Sequence, residues 1–112
     1  MKKIEAVFSP EKFDNVKKKL FASGVSALTV ADVKGYGFQK RKMDVLKGQD
    51  VVVELSTRKK IEMVVNDEEA EKVISAIISV TRTGRIGDGK IFITDIKDAV
   101  RIRTGERGKE AL

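Results

Sequence analysis

The stretch Lys60-Ile61-Glu62-Met63-Val64 repeats, with an offset of 57 positions, the opening stretch Lys3-Ile4-Glu5-Ala6-Val7. The likeness continues beyond the five residues. After the first copy, Phe13, Val16 and Leu20 fall on one face of a helix, and after the second Ala70, Val73 and Ile77 keep the same i, i+3, i+7 spacing. Each helix carries a start signal: Ser9 with Pro10 at the first helical position, and Asn66 as a cap with Glu69 three residues on. Each copy then runs into another strand, Ala27 to Lys34 in the first and Lys90 to Asp95 in the second. The predicted order is therefore strand, helix, strand, twice over.

A duplicated βαβ unit with right-handed crossovers closes into a four-stranded antiparallel sheet with both helices on one face, the ferredoxin-like arrangement of the α+β class. Alternation assigns Ile4, Ala6 and Phe8, together with Ile61, Met63 and Val65, to one apolar face. Val7, Leu28, Val30 and Val64 are expected to make the other face partly apolar as well. A chain of 112 residues with 41% hydrophobic content suits one domain, 1–112, with no third layer to cover that second face, so burial against other copies is expected. No apolar run has the length of a membrane span and no signal-peptide core follows Met1, which points to a soluble, cytoplasmic protein. With no cysteine and no histidine, disulfides, Cys/His zinc sites, thiol nucleophiles and imidazole bases are excluded. A net charge of +6 permits anionic partners without choosing among them.

Three segments carry chemistry. In Thr83-Gly84-Arg85-Ile86-Gly87-Asp88-Gly89-Lys90, three glycines within six positions free the backbone to turn N–H groups toward an anion, with Arg85 and Lys90 as nearby cations. It is not a Walker loop, since no Ser or Thr follows Lys90, and taken alone it reads equally as a glycine-rich turn into a strand. Arg101-Ile102-Arg103, read as a strand, would place two guanidinium groups on one face, a geometry suited to phosphate oxygens. Gly35-Tyr36-Gly37, followed by Phe38-Gln39-Lys40, is another place where backbone can approach a ligand. Together they suggest a nucleotide.

These segments, in this order and with Lys60-Ile61-Glu62-x-Val64-Val65 and the tail Thr104-Gly105-Glu106, resemble the PII signal-transduction family along the whole chain. The resemblance implies a homotrimer with nucleotide sites in the clefts between subunits. It implies a T-loop at 37–59 that docks onto targets, a glycine-rich B-loop at 82–90 and a C-terminal loop at 101–112. It assigns ATP or ADP to Thr29, Gly35, Gly37, Phe38, Gln39, Glu62, Val64, Thr83, Gly87, Asp88, Gly89, Lys90, Arg101 and Arg103. Thr29, Glu62 and the strand carrying Val64 match positions near the adenine and ribose. The effector 2-oxoglutarate falls to Gln39, Lys40, Arg58 and Gly87, and Mg2+, only with ATP, to the side-chain oxygen of Gln39.

Three departures from the family pattern stand out. Val51 occupies the place of the tyrosine that many bacterial relatives uridylylate, so that modification is not expected. Phe38 replaces an arginine near the ATP phosphates, and Arg58 replaces a lysine that meets a 2-oxoglutarate carboxylate. The expected function is that of a non-catalytic sensor of ATP, ADP and 2-oxoglutarate. Through the T-loop it would control a target such as an ammonium channel or an enzyme of nitrogen metabolism, with no nucleic acid involved and a membrane only through a transporter. The rival reading is an RNA-binding domain of the same strand order, which requires exposed aromatics on the central strands where Lys60 to Val65 has none. Acylphosphatase-type hydrolysis on this fold lacks its arginine loop and catalytic asparagine.

Overall fold

A computed structural model describes residues 1–39 and 52–112. Its elements are β1 (Lys2–Phe8), α1 (Phe13–Ala22), β2 (Thr29–Gln39), β3 (Val52–Val65), α2 (Ala70–Thr81) and β4 (Lys90–Asp95). The strands form one antiparallel sheet in the order β2-β3-β1-β4, the ferredoxin-like α+β fold expected from the duplication. β1 pairs on both sides: Ile4 lies opposite Met63 and Ile93, and Ala6 opposite Ile61 and Ile91. Those residues therefore share the face that the helices cover.

The core is what the alternation and the helical spacing required. Ile4, Ala6, Phe8, Ile61 and Met63 are buried beneath Val16 and Leu20 of α1 and Ala70, Val73 and Ile77 of α2. Phe13 packs against this cluster from its edge, with the Lys17 and Lys59 ammonium groups over its ring.

Both helix starts differ from expectation. Ser9 and Asn66 each precede a single 3-10 turn, Pro10–Lys12 and Asp67–Glu69, and neither side chain caps it. Backbone bonds replace the caps, Lys12 N–H donating to the Ser9 carbonyl at 3.1 Å and Glu69 N–H to the Asn66 carbonyl at 3.0 Å. The Ser9 hydroxyl is thereby released to accept from the Arg58 guanidinium at 3.1 Å.

The second sheet face is also corrected. Val7 and Val64 lie on it, but Leu28 packs against the helix-side core and Val30 pairs with Ile61 on that same side. Phe92, opposite Glu5, joins the open face instead. Its centre is a ladder of ion pairs. Lys60 Nζ lies 3.0 Å from Glu5 and 3.2 Å from Glu62, and Lys3 Nζ 3.7 Å from Glu62.

Arg101-Ile102-Arg103 is not a strand. It opens a tight turn closed by the Val100–Arg107 bridge, with Arg101 N–H donating to the Glu106 carbonyl and Gly105 N–H to the Arg101 carbonyl. The turn chemistry of Thr104-Gly105 prevails over the period-two pattern. The two arginines therefore share no strand face.

Phe8 and Phe21 separate core from surface. Phe8→Ala should destabilise the protein by about 3 to 5 kcal/mol, whereas Phe21→Ala, on a side chain 78% exposed, should shift it by about 0.5 kcal/mol or less. Urea unfolding at fixed chain concentration distinguishes the two.

Candidate functional site

The glycine-rich segment between α2 and β4 is an anchored loop. Asp88 closes it internally: one carboxylate oxygen accepts from the Thr83 N–H at 2.7 Å and the Gly84 N–H at 2.9 Å, while the other accepts from the Thr83 hydroxyl. The Thr83 hydroxyl also accepts from Arg85 N–H at 3.2 Å. The hydrogen bonds from Thr83, side chain first and then backbone, hold the Asp88 carboxyl below the usual carboxylate range.

Outside the loop, Gly89 lies directly on β1. A Cβ there would come within 2.0 Å of the Val7 carbonyl oxygen, and its φ of +105° belongs to the left-handed region. Gly87, at φ +104°, turns its carbonyl toward β3, where it accepts from Arg58 at 2.7 Å.

Between this loop and the β2–β3 hairpin lies a cleft of about 650 Å³, lined by Val7, Gly35, Tyr36, Gly37, Ser56, Arg58, Phe92 and the loop from Arg85 to Lys90. Among the described residues its charges are Arg58, Arg85 and Lys90 against Asp88, whose oxygens are already taken up by Thr83 and Gly84. Three cations facing one committed carboxylate, with backbone opened by glycine, make the cleft suited to a polyanion. On the other side of the loop a smaller cleft of about 340 Å³ runs between Ile74, Ile77 and Ile78 of α2 and Ile91 and Ile93 of β4, with Arg82, Asp88 and Lys90 also in its lining.

Gly35, Gly37, Arg58, Gly87, Asp88, Gly89 and Lys90 meet in the larger cleft, and Thr83 supports it through Asp88. Phe38 and Gln39 continue β2 just past Gly37, and Lys40 lies outside the described residues, as does Val51. Thr29 and Glu62 are register partners on the open sheet face, with Val64 two residues along β3; none of them lines the cleft. Lys60, by its hydrogen bond, holds the Glu62 carboxyl below its ordinary range.

Arg101 and Arg103 also lie off this cleft. The Arg101 guanidinium donates to Glu106 at 2.9 Å and to the Leu112 carbonyl oxygen at 3.1 Å. Among the residues that line or brace the cleft, Val7, Ser9, Ser56 and Phe92 escaped sequence reasoning. Alternation along β1 put Val7 on the open face but gave no sign that it lines a cleft, and Ser9 carried no signal beyond its capping role. Among the described residues no group of three acidic, histidine or cysteine side chains could hold a metal ion, and no helix is long and apolar enough to cross a membrane.

Fold and cleft together define a small ferredoxin-like domain with a cation-lined cleft under a glycine-rich loop. The family model for nitrogen regulatory protein P-II matches residues 1–106. The nitrogen regulatory protein P-II of Cereibacter sphaeroides is 48% identical over 112 residues, 100% of both chains. That of Rhodospirillum rubrum is 47% identical, again over 100% of both chains. Among solved structures, Bacillus subtilis GlnK superposes with a TM-score of 0.83 at 39% identity, covering 99% of this chain and 97% of that one. A GlnK–ATP complex from the same organism superposes with a TM-score of 0.82. The chain belongs to the nitrogen regulatory protein P-II family and is a non-catalytic regulator.

The Asp88 clasp has a defined pH signature. Because folding lowers its pKa, the carboxylate supports the loop above the ordinary aspartate value and loses that effect as pH falls through the lowered one. The Thr83 and Gly84 amide resonances should therefore titrate with a midpoint below about 3.9. Asp88→Ala should remove the titration and speed hydrogen exchange at both amides, read by NMR on the same samples.

Proposed function

We propose that this protein is a homotrimeric, cytoplasmic sensor that binds ATP and ADP competitively in the cleft under the glycine-rich loop and signals through the 37–59 loop. The observation that carries the reading is the anchored loop itself. Its one carboxylate is committed internally, so Arg85, Lys90 and the N–H donors of Arg58 not used by Ser9 and Gly87 are left to face phosphate oxygens. A solved relative 39% identical to this chain is described as an ATP complex, which supports the same ligand class here.

The C-terminal arginines fit a site shared between subunits. Lys109 of their segment approaches Glu68 at 3.6 Å, before the start of α2, whereas the glycine-rich loop follows the end of α2. A helix of 12 residues spans about 18 Å, a separation that supports assigning Arg101 and Arg103 to a neighbouring copy's cleft rather than their own. The open sheet face, with Val7, Val64 and Phe92 around a self-neutralised Lys–Glu ladder, is the surface such a trimer would bury. That ladder occupies the place where stacking aromatics would be needed for RNA.

Mg2+ fits as an accessory of ATP. With the Asp88 oxygens engaged, the cation would take its ligands from phosphates, water and the Gln39 side-chain oxygen, a shell suited to a hard ion. Bound there, it would neutralise phosphate charge. The dicarboxylate 2-oxoglutarate is assigned to Gln39, Lys40, Arg58 and Gly87, and Phe38 would meet the nucleotide from the end of β2. Differential affinity of these ligands for states of the 37–59 loop would then decide whether a target, an ammonium channel or a nitrogen-metabolism enzyme, is engaged.

Calorimetric titration of ATP and ADP, each with and without Mg2+ and 2-oxoglutarate, tests the proposal. Saturable binding of both nucleotides is expected, with 2-oxoglutarate tightening ATP only, and light scattering should give three chain masses. Absence of any nucleotide heat at millimolar ligand would overturn it.

A further inference from the structure

Arg58 does more in this fold than present a charge. Its two terminal nitrogens are committed in different directions: one donates to the Ser9 hydroxyl at 3.1 Å, the other to the Gly87 carbonyl at 2.7 Å. Ser9 sits where β1 hands over to the first helical turn, and Gly87 lies in the turn of the glycine-rich loop. One rigid fork on β3 thus ties the loop to the β1–α1 junction. The loop's other restraints act elsewhere: the Asp88 clasp bonds Thr83 and Gly84, and Gly89 is seated on Val7, whereas the Gly87 carbonyl is bonded by Arg58.

We propose that Arg58 is a positioning residue for the phosphate-binding loop. By holding the Gly87 carbonyl back against β3, it keeps the peptide N–H groups of the loop set for an anion before any ligand arrives. This rests on the reading of the cleft as a nucleotide site. A planar guanidinium can reach Ser9 and Gly87 together and keep further N–H donors for a ligand; an ammonium concentrates its donors on one atom. Preorganisation of this kind raises affinity by removing the ordering cost from the binding step.

The test compares wild type with Arg58→Met, Arg58→Lys and Ser9→Ala. It uses amide hydrogen exchange of the ligand-free proteins and calorimetry with ATP and with adenosine. Arg58→Met should speed exchange at Gly87 to Lys90 and weaken ATP about tenfold, with adenosine moving less than twofold. Arg58→Lys, which keeps the charge but not the fork, should still show faster loop exchange and weaker ATP. Ser9→Ala, which keeps the guanidinium but frees its far end, should show a smaller change in the same direction.

If Arg58→Lys and Ser9→Ala both match wild type in loop exchange and ATP affinity, Arg58 acts by charge alone and the proposal is overturned. Should Arg58→Met fail to fold, these two variants decide the matter. If wild type binds neither ATP nor adenosine, the nucleotide reading fails, while the exchange data still show whether the fork holds the loop.

Discussion

The double pairing of β1 is the constraint on which the rest of the molecule depends. Ile4, Ala6 and Phe8 must be buried beneath both helices, and a slip of one residue in either neighbouring ladder would turn Glu5 and Val7 into the core instead. Once that register is set, the Val7 carbonyl lies where only a glycine can cross, and Lys60 and Lys90 lie opposite Val7 on either side. The cleft is thus a by-product of core burial. Hydrophobic packing on one face of the strand fixes polar geometry at its end.

Electrostatics then gives the cleft its sign. A loop with Asp88 among Arg85 and Lys90 carries more positive than negative charge, and a carboxylate free to pair would be spent on one of the two cations. Bound to Thr83 and Gly84, it stiffens the loop and makes no ion pair with either of the loop's cations. The opposite solution is used on the open sheet face, where Lys3, Glu5, Lys60 and Glu62 neutralise one another. Exposed pairs of this kind contribute little to the isolated chain. On a face that becomes buried they would restrict how copies can be set against each other.

Much of this was legible in the chain. The repeated Lys-Ile-Glu stretch and the matched helical spacings foretold strand order and core because burial periodicity is a local property. The glycine-rich loop, which alone reads equally as a turn into a strand, became legible as an anion site only beside the other glycine and arginine segments. Other readings failed where several local patterns competed. Asn66 and Glu69 matched a capping box, yet the chain closes a 3-10 turn there; Arg101-Ile102-Arg103 alternated as a strand does, yet Thr104-Gly105 turns it back on Glu106. Leu28 and Val30 went to the wrong face because nothing in the chain set the phase of β2.

By itself the sequence determined the fold class, the core residues and the chemical character of the loop, since all three follow from the nature and spacing of neighbouring side chains. Only the tertiary structure decided that Arg58 reaches both Ser9 and Gly87, that Val7 floors the cleft, and that Arg101 turns back on Glu106. Those facts depend on which strands become neighbours and in what register. That is settled by the collective packing of two distant βαβ units, not by any one stretch of the chain.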